Sequence, residues 1–376
     1  MRYRKAPVHV MHVLGSFGYG GAEMGVVRMI RALGGPDVKH SVLSLSSDLS
    51  LKDTLPDGIF CRALERREKD RTVFLRLRTL FRRQQVDIAH VNNLGPWFDT
   101  ALAARLSGCK CIQTFHGVEN PDIEFSPAKK LQARCSLGLG HGVTAVSATA
   151  AQLFSRVTGI DVSRVRVIDN GVDTDLFSPA DAGTIAELKK RLNLPEQGVL
   201  IGCVAGFRRV KNHTGLFRAF AQVLDKFPGA VLVLIGDGPL RRELETRAAE
   251  LGITDHVRFA GQSDRIPDYL RCLDLFALNS KTEGFSYALM EAMSTGIPVV
   301  ATRVGGNRVL VKEGQSGFLT EEGDAGSLAR AMTGLLADRS LRREMGRAAR
   351  QIILDRYALS RATVQYQRLY FNAVEG

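Results

Sequence analysis

Short apolar runs alternate with amphipathic stretches from one end of the chain to the other. The runs at 8–13, 41–45, 87–91, 110–115, 143–147 and 165–168 are bounded by polar or glycine turns, and each predicts a buried strand. Between them, 24–33, 72–85, 98–107 and 148–157 carry apolar positions at helical spacing. The pattern then starts again. Strands are predicted at 199–205, 231–235, 257–260, 275–278 and 299–301, and helices at 213–226, 240–251, 287–294, 328–337 and 339–356. Strands that alternate with helices at this spacing form parallel sheets covered on both faces. Two such runs predict an α/β protein of two Rossmann-like, doubly wound parallel-sheet domains. The break falls within 170–179, where a strand ends in Asn170-Gly171 and Pro179 follows, so the domains are expected at 1–175 and 176–356.

Length agrees with this division, because 376 residues exceed what one ordinary core organises. With 45% hydrophobic and 24% charged residues, the composition is globular. The basic start Met1-Arg2-Tyr3-Arg4-Lys5 followed by an apolar run resembles a leader in outline. The run is short, contains His9 and His12 and ends in a glycine loop, so it reads as a first strand. No stretch approaches the ~18 apolar residues of a spanning helix. The six cysteines lack metal or redox spacing and read as scattered, buried thiols in a reduced compartment, which places the expectation in the cytoplasm.

The net charge of +12 changes the picture because it is local. Residues 62–83 hold nine Arg or Lys against three acids, so +6 falls in one segment. Within it, 72–85 predicts an amphipathic helix whose margin carries Arg76, Arg78, Arg82 and Arg83. Such a helix can lie on an anionic membrane surface while its apolar face packs inward; an ordinary core helix with a solvated arginine face is the alternative. Single-stranded nucleic acid would call for aromatic platforms among the basic residues. Only Phe74 and Phe81 occur there, on the apolar side, so nucleic acid is not expected as a partner.

Candidate chemistry clusters where strands meet helices. The strand at 275–278 leads into Glu283-Gly284-Phe285-Ser286 and then a helix that carries Glu291. Ligands of open parallel sheets bind at the carboxyl ends of strands, and a helix start offers free N–H groups to a diphosphate. Glu283 and Glu291 stand eight residues apart, roughly 12 Å of helical rise. That separation suits two groups of an extended ligand, though a solvated helix with one capping acid gives the same spacing. Arg208, Arg209 and Lys211 follow the strand at 199–205. Gly20 and Gly21 sit in the glycine-rich loop after the first strand, and His116 ends the strand at 110–115. Asp173-x-Asp175 has the form of a metal-binding pair.

The segment 281–302, KTEGFSYALMEAMSTGIPVVAT, resembles the signature of the retaining family 4 glycosyltransferases of the GT-B fold: Glu, seven residues, Glu, then Ala-Met-small-x-Gly-x-Pro-Val. The likeness extends to Gly20-Gly21-Ala22-Glu23, to Thr114-Phe115-His116-Gly117, to Lys211-Asn212, to Gly236–Pro239 and to Asn170-Gly171-Val172-Asp173. It implies two Rossmann-like domains facing across a cleft, acceptor bound by the first and nucleotide by the second, with a C-terminal helix at 357–376 packing back on the first. It implies an enzyme that moves a hexose-type sugar from a UDP- or GDP-sugar to a glycan or lipid-linked acceptor, in polysaccharide or glycolipid biosynthesis. No cofactor and no metal are implied, and the Asp-x-Asp falls in the family's interdomain crossing. By the same resemblance Lys211 binds the donor phosphate. The family's partner arginine aligns with Gly206, so Arg208 or Arg209 is expected in its place. Glu283 and His116 are implied at the sugar and Glu291 at the ribose. Gly284, Phe285 and Ser286 are implied along the donor, and Gly20 and Gly21 at the donor phosphates or the acceptor. The rivals are a nucleotide-sugar epimerase of the same fold, a basic nucleic-acid-binding protein and a sugar-binding protein without turnover.

Overall fold

The computed structural model describes residues 7–67, 70, 72–118 and 123–375. Contacts divide the chain into two units, one of residues 1–170 with 359–376 and one of residues 171–358. The first division thus falls five residues ahead of the expected boundary and the second two residues after it.

Unit 1 runs β1 (Val8–Leu14), α1 (Gly21–Leu33), β2 (Val38–Ser44), β3 (Phe60–Ala63), α2 (Val73–Arg83), β4 (Ile88–Asn92), α3 (Trp97–Ser107), β5 (Lys110–Phe115), α4 (Pro127–Leu139), β6 (Gly142–Ala145), α5 (Ala148–Thr158) and β7 (Val165–Val167). Unit 2 continues with α6 (Ala182–Arg191), β8 (Leu200–Val204), α7 (His213–Leu224), β9 (Val231–Ile235), α8 (Arg241–Glu250), β10 (Val257–Gly261), α9 (Ile266–Arg271), β11 (Leu275–Leu278), α10 (Tyr287–Ser294), β12 (Val299–Thr302), α11 (Asn307–Leu310), β13 (Gly317–Thr320), α12 (Ala325–Ala337) and α13 (Arg339–Arg356). The last helix, α14 (Leu359–Glu375), belongs to unit 1.

Every strand pair is parallel. The sheet orders are β3-β2-β1-β4-β5-β6-β7 and β10-β9-β8-β11-β12-β13. Both are doubly wound, and each reverses direction once: between β1 and β4 in unit 1, and between β8 and β11 in unit 2. Several elements that the hydrophobic pattern does not announce bury little. The edge strand β3 has no fully buried residue; α4 buries only Ala133 and Ser136; α6 buries only Leu188. β13 is a four-residue edge strand behind a turn. Among the cysteines, Cys135 on α4 is exposed, contrary to the expectation of uniformly enclosed thiols.

The two cores differ in kind. In unit 2, Leu232, Leu234, Phe217, Phe220 and Met332 form one continuous apolar interior. In unit 1 the apolar clusters around Val10, Ile88 and Ile112, and around Phe17, Val26 and Ile30, flank a buried polar ladder. His12 lies opposite His90 on the neighbouring strand. His12 Nε2 is 3.1 Å from His40 Nδ1. His90 reaches the Tyr370 hydroxyl of α14 at 2.7 Å and the Thr114 hydroxyl at 2.6 Å, and Thr114 reaches Thr144 at 2.6 Å. Burial holds these imidazoles neutral: His40 is pushed down to about 4, His90 to about 3, and His12 well below the ordinary range.

Candidate functional site

In a doubly wound sheet the crevice opens where the strand order reverses, outside the carboxyl ends of the two central strands. In unit 2 those strands are β8 and β11. The loop after β8 ends in a single turn at Arg209–Lys211, and the loop after β11 carries Glu283. There Lys211 Nζ lies 2.6 Å from Glu283 Oε1. The Ser280 hydroxyl donates to the same oxygen at 2.6 Å. The Glu283 side chain is only 8% exposed and that of Lys211 26%. Two donors on one enclosed oxygen satisfy the carboxylate and fix the ammonium in place. The two loops are also tied by bonds onto backbone carbonyls, one from a backbone N–H and one from a side chain. Lys281 N–H donates to the Val210 carbonyl at 2.8 Å, and the Asn279 amide donates to the Asn212 carbonyl at 3.2 Å.

Glycines let the loops approach this closely. Gly305 has φ +44°, and a Cβ there would stand 1.7 Å from the Glu283 carbonyl oxygen. Its neighbour Gly306 donates its N–H to that oxygen at 3.2 Å. Gly236, at φ +144°, lies against the Ala205 carbonyl, where a Cβ would come within 2.2 Å. No L side chain fits either place without moving the backbone that carries the charged pair.

Beyond Glu283, Gly284 and Phe285 lead into α10. The Phe285 ring is buried 5.3 Å from that of Tyr357. Ser286 caps the helix, its hydroxyl accepting from Leu289 N–H at 3.3 Å. Glu291 lies on the enclosed side of α10, with 2% exposure. Arg208 and Arg209 are exposed in the turn before Lys211. Asp173 uses its carboxylate to accept from the N–H groups of Asp175 and Leu176, closing a turn. Among the described residues, no group of three or more His, Cys, Asp or Glu is disposed to hold a metal ion.

In unit 1 the strands at the reversal are β1 and β4. Gly20 and Gly21 close the loop after β1. Gly20 is extended (φ −156°) and its carbonyl accepts from Met24 N–H at 3.0 Å, the first bond of α1. His116 stands after β5, the strand beside β4. Its Nε2 is 2.9 Å from Asn92 Oδ1, and its backbone N–H donates to Asn93 Oδ1 at 3.2 Å. The Asn92 amide nitrogen donates to the His90 carbonyl at 3.4 Å, which turns its oxygen toward His116. Nε2 therefore carries the proton and Nδ1 the lone pair. Burial pushes this imidazole down to about 4.

The structure thus joins Lys211 to Glu283 directly and sets Gly284, Phe285 and Ser286 behind them, whereas Gly20, Gly21 and His116 belong to the other unit. Sequence reasoning missed Ser280 and Asn279, which brace the charged pair, and Asn92 and Asn93, which hold His116. The last two left a signal, a polar pair at the carboxyl end of a buried strand. Nothing in the chain pattern marks the first two.

Comparison with known proteins places these features in a family. Residues 184–352 match the model described as "Glycosyl transferases group 1" and residues 19–176 the one described as "Glycosyltransferase Family 4". The chain is 30% identical over 290 residues to the GDP-mannose-dependent alpha-(1-6)-phosphatidylinositol monomannoside mannosyltransferase of Mycobacterium tuberculosis, covering 74% of each. It is 29% identical over 295 residues to the N-acetyl-alpha-D-glucosaminyl L-malate synthase of Bacillus anthracis, covering 78% of this chain and 76% of that one. The fold matches that of Anabaena HepE in complex with UDP-glucose at a TM-score of 0.83, with 22% identity over 97% of this chain and 99% of that one.

Proposed function

The chain belongs to the family 4, group 1 glycosyltransferases, of the GT-B fold, and from that premise we propose that it moves a hexose-type sugar from a UDP- or GDP-sugar to a glycan or lipid-linked acceptor with retention of anomeric configuration. The process is glycoconjugate biosynthesis, and the finer assignment is polysaccharide or glycolipid assembly. The observation that carries the reading is the contact of Lys211 with Glu283 at the strand-order reversal of unit 2. When the bond from sugar to diphosphate breaks, the leaving phosphate gains negative charge. A cation already held in place stabilises that gain without reorganising. Lys211 fills this role, with Arg208 or Arg209 beside it on the same turn. Glu283 accepts from sugar hydroxyls, the N–H groups at the start of α10 receive the diphosphate, and Glu291 meets the ribose. His116, neutral and with Nδ1 as acceptor, faces the sugar and the acceptor, and Gly20 and Gly21 let the first loop approach them. Unit 1 takes the acceptor and unit 2 the nucleotide, with no cofactor and no resident metal. The names of the relatives support the donor class, since one is GDP-mannose-dependent and HepE was crystallised with UDP-glucose.

A further part of the reading is attachment to an anionic membrane surface on the cytoplasmic side through α2. Its apolar residues Val73, Leu77, Leu80 and Phe81 pack inward, which leaves the arginine margin and the exposed Leu75 facing out. No helix among the described residues is long and apolar enough to cross a membrane.

A thermal-shift screen of UDP-, GDP- and ADP-sugars tests the donor. The correct one at 100 times its Kd adds roughly 2.7 kcal/mol of stability. Lys211→Ala and Glu283→Gln should each lower kcat about 10²–10³-fold with the donor so identified. Turnover unchanged in both variants, or no nucleotide sugar raising the melting temperature, would sink the reading. Sugar NMR without acceptor adds a control: conversion of the donor to an epimer would replace transfer by epimerisation.

A further inference from the structure

Unit 1 contains a cavity of about 260 Å³ beside the loop that holds His116. It opens among Leu94, Trp97 and Phe98 on one side and Phe125, Lys129 and Ala133 on the other. Leu94 directly follows Asn93, the residue whose side chain receives the His116 backbone N–H. The α4 wall is one helical stripe, because 129, 132, 133 and 136 share a face. Three aromatic rings dominate the lining. Ser136 already commits its hydroxyl to the Gln132 carbonyl at 2.8 Å. Among the described residues, the lining carries one formal charge, the Lys129 ammonium, 5.5 Å from the centre of the Phe125 ring, and no acid.

A glycan needs many donors and acceptors, and among the described residues this lining offers mainly the Gln132 amide at its exposed rim and the Lys129 ammonium. An apolar chain needs none, and an anion at its head finds Lys129. The volume is below that of pockets that enclose a whole drug-sized ligand, roughly 300–1,000 Å³, so the occupant is a segment of a longer molecule. We propose that this cavity receives the first part of the apolar chain of an acceptor whose sugar is carried on that chain through a phosphate, with Lys129 at the phosphate and the sugar directed toward His116. This rests on the transferase reading above and narrows its acceptor to the lipid-phosphate class.

The protein has one tryptophan, and it is Trp97. Its fluorescence therefore reports the cavity. Alkyl phosphates from hexyl to decyl, kept below micelle formation, should bind with affinity rising up to about fourfold per added methylene. A bromine-tipped decyl phosphate should quench Trp97. Lys129 is exposed, so its effect is modest: Lys129→Gln should weaken decyl phosphate roughly two- to fivefold and leave decanol unchanged. Ala133→Leu narrows the cavity and should lower affinity for both, and Phe98→Ala serves if that variant fails to fold. The proposal is overturned if decyl phosphate leaves Trp97 unaffected, if chain length makes no difference, if Lys129→Gln weakens decanol as much as the phosphate, or if neither cavity variant alters binding. The nucleotide-sugar thermal shift on the same protein separates the two readings. A shift with UDP- or GDP-sugar but no alkyl phosphate binding ends this inference alone. Alkyl phosphate binding without any nucleotide-sugar shift and without turnover ends the transferase reading and the acceptor role, leaving an amphiphile site.

Discussion

Two parallel sheets of similar size are held together here by different chemistry. The main core cluster of unit 2 is apolar, and the one buried histidine of the unit, His213, packs edge-on against Phe207. Unit 1 runs His40, His12 and His90 through its centre, with His12 bonded to His40 and His90 bonded to Tyr370 and Thr114. An apolar interior gains from any good filling, whereas a buried polar chain gains only when its partners are present and its imidazoles are neutral. Unit 1 therefore depends on protonation state at several buried imidazoles where unit 2 depends on one.

The largest consequence is acid lability concentrated in unit 1. An imidazole with a folded pKa below its unfolded value binds its proton more readily after unfolding. Its stabilising contribution is complete above about 6.5 and is lost as pH falls toward the folded value. For His40, with a folded value of about 4, the loss approaches on the order of 3 kcal/mol by pH 4, and His90 and His116 add in the same direction. Unit 2 has one buried histidine, His213, lowered to about 4 by burial and the nearby Lys211. Hydrogen exchange at pH 7 and again near pH 4.5 should show β1 and β4 losing protection before β8 and β9. Equal loss in both sheets would break the contrast.

A second difference lies in the loops, and its effect is smaller. In unit 2, Gly305→Ala forces a Cβ against the Glu283 carbonyl and should cost roughly 1–3 kcal/mol while slowing transfer. In unit 1, Gly15→Ala meets nothing within 4 Å and should change stability by less than about 0.5 kcal/mol. Denaturant midpoints of the two variants check this. A costly Gly15→Ala would mean that the first loop is as tightly packed as the one that braces Glu283.

The same contrast explains what could be read from the chain. The site of unit 2 is written in contiguous segments, because each loop follows a strand and each carries its charged residue within a few positions of the strand end. Strand periodicity and the 281–302 motif therefore exposed Lys211 and Glu283 together. The histidine ladder is not contiguous. His90 and Tyr370 are 280 positions apart, and no local pattern links them. His12 and His90 lie in strands that the hydrophobic pattern reveals, but nothing in that pattern points to their partners. Elements with little buried surface, such as β3, α4 and α6, also left no period to detect. The cavity beside His116 went unseen for that reason, since α4 forms one wall of it.

The smallest expected effect concerns the surface of unit 1, where the charge excess is concentrated. Arg78 and Arg82 of α2 both point to the Leu106 carbonyl near the end of α3, at 3.3 and 3.5 Å. Both bonds are exposed and long, so water replaces them at little cost. Arg78→Ala and Arg82→Ala should each shift stability by no more than about 0.5 kcal/mol. On anionic vesicles each arginine near the surface contributes about 1 kcal/mol, so each variant should bind roughly fivefold more weakly, and the difference should fade with salt. Co-sedimentation with vesicles at low and moderate salt, beside the melting temperatures, separates the two uses of these side chains. A loss of stability well above 1 kcal/mol with vesicle binding unchanged would make them caps of α3. The basic margin of α2 would then serve the fold of unit 1 and not a membrane.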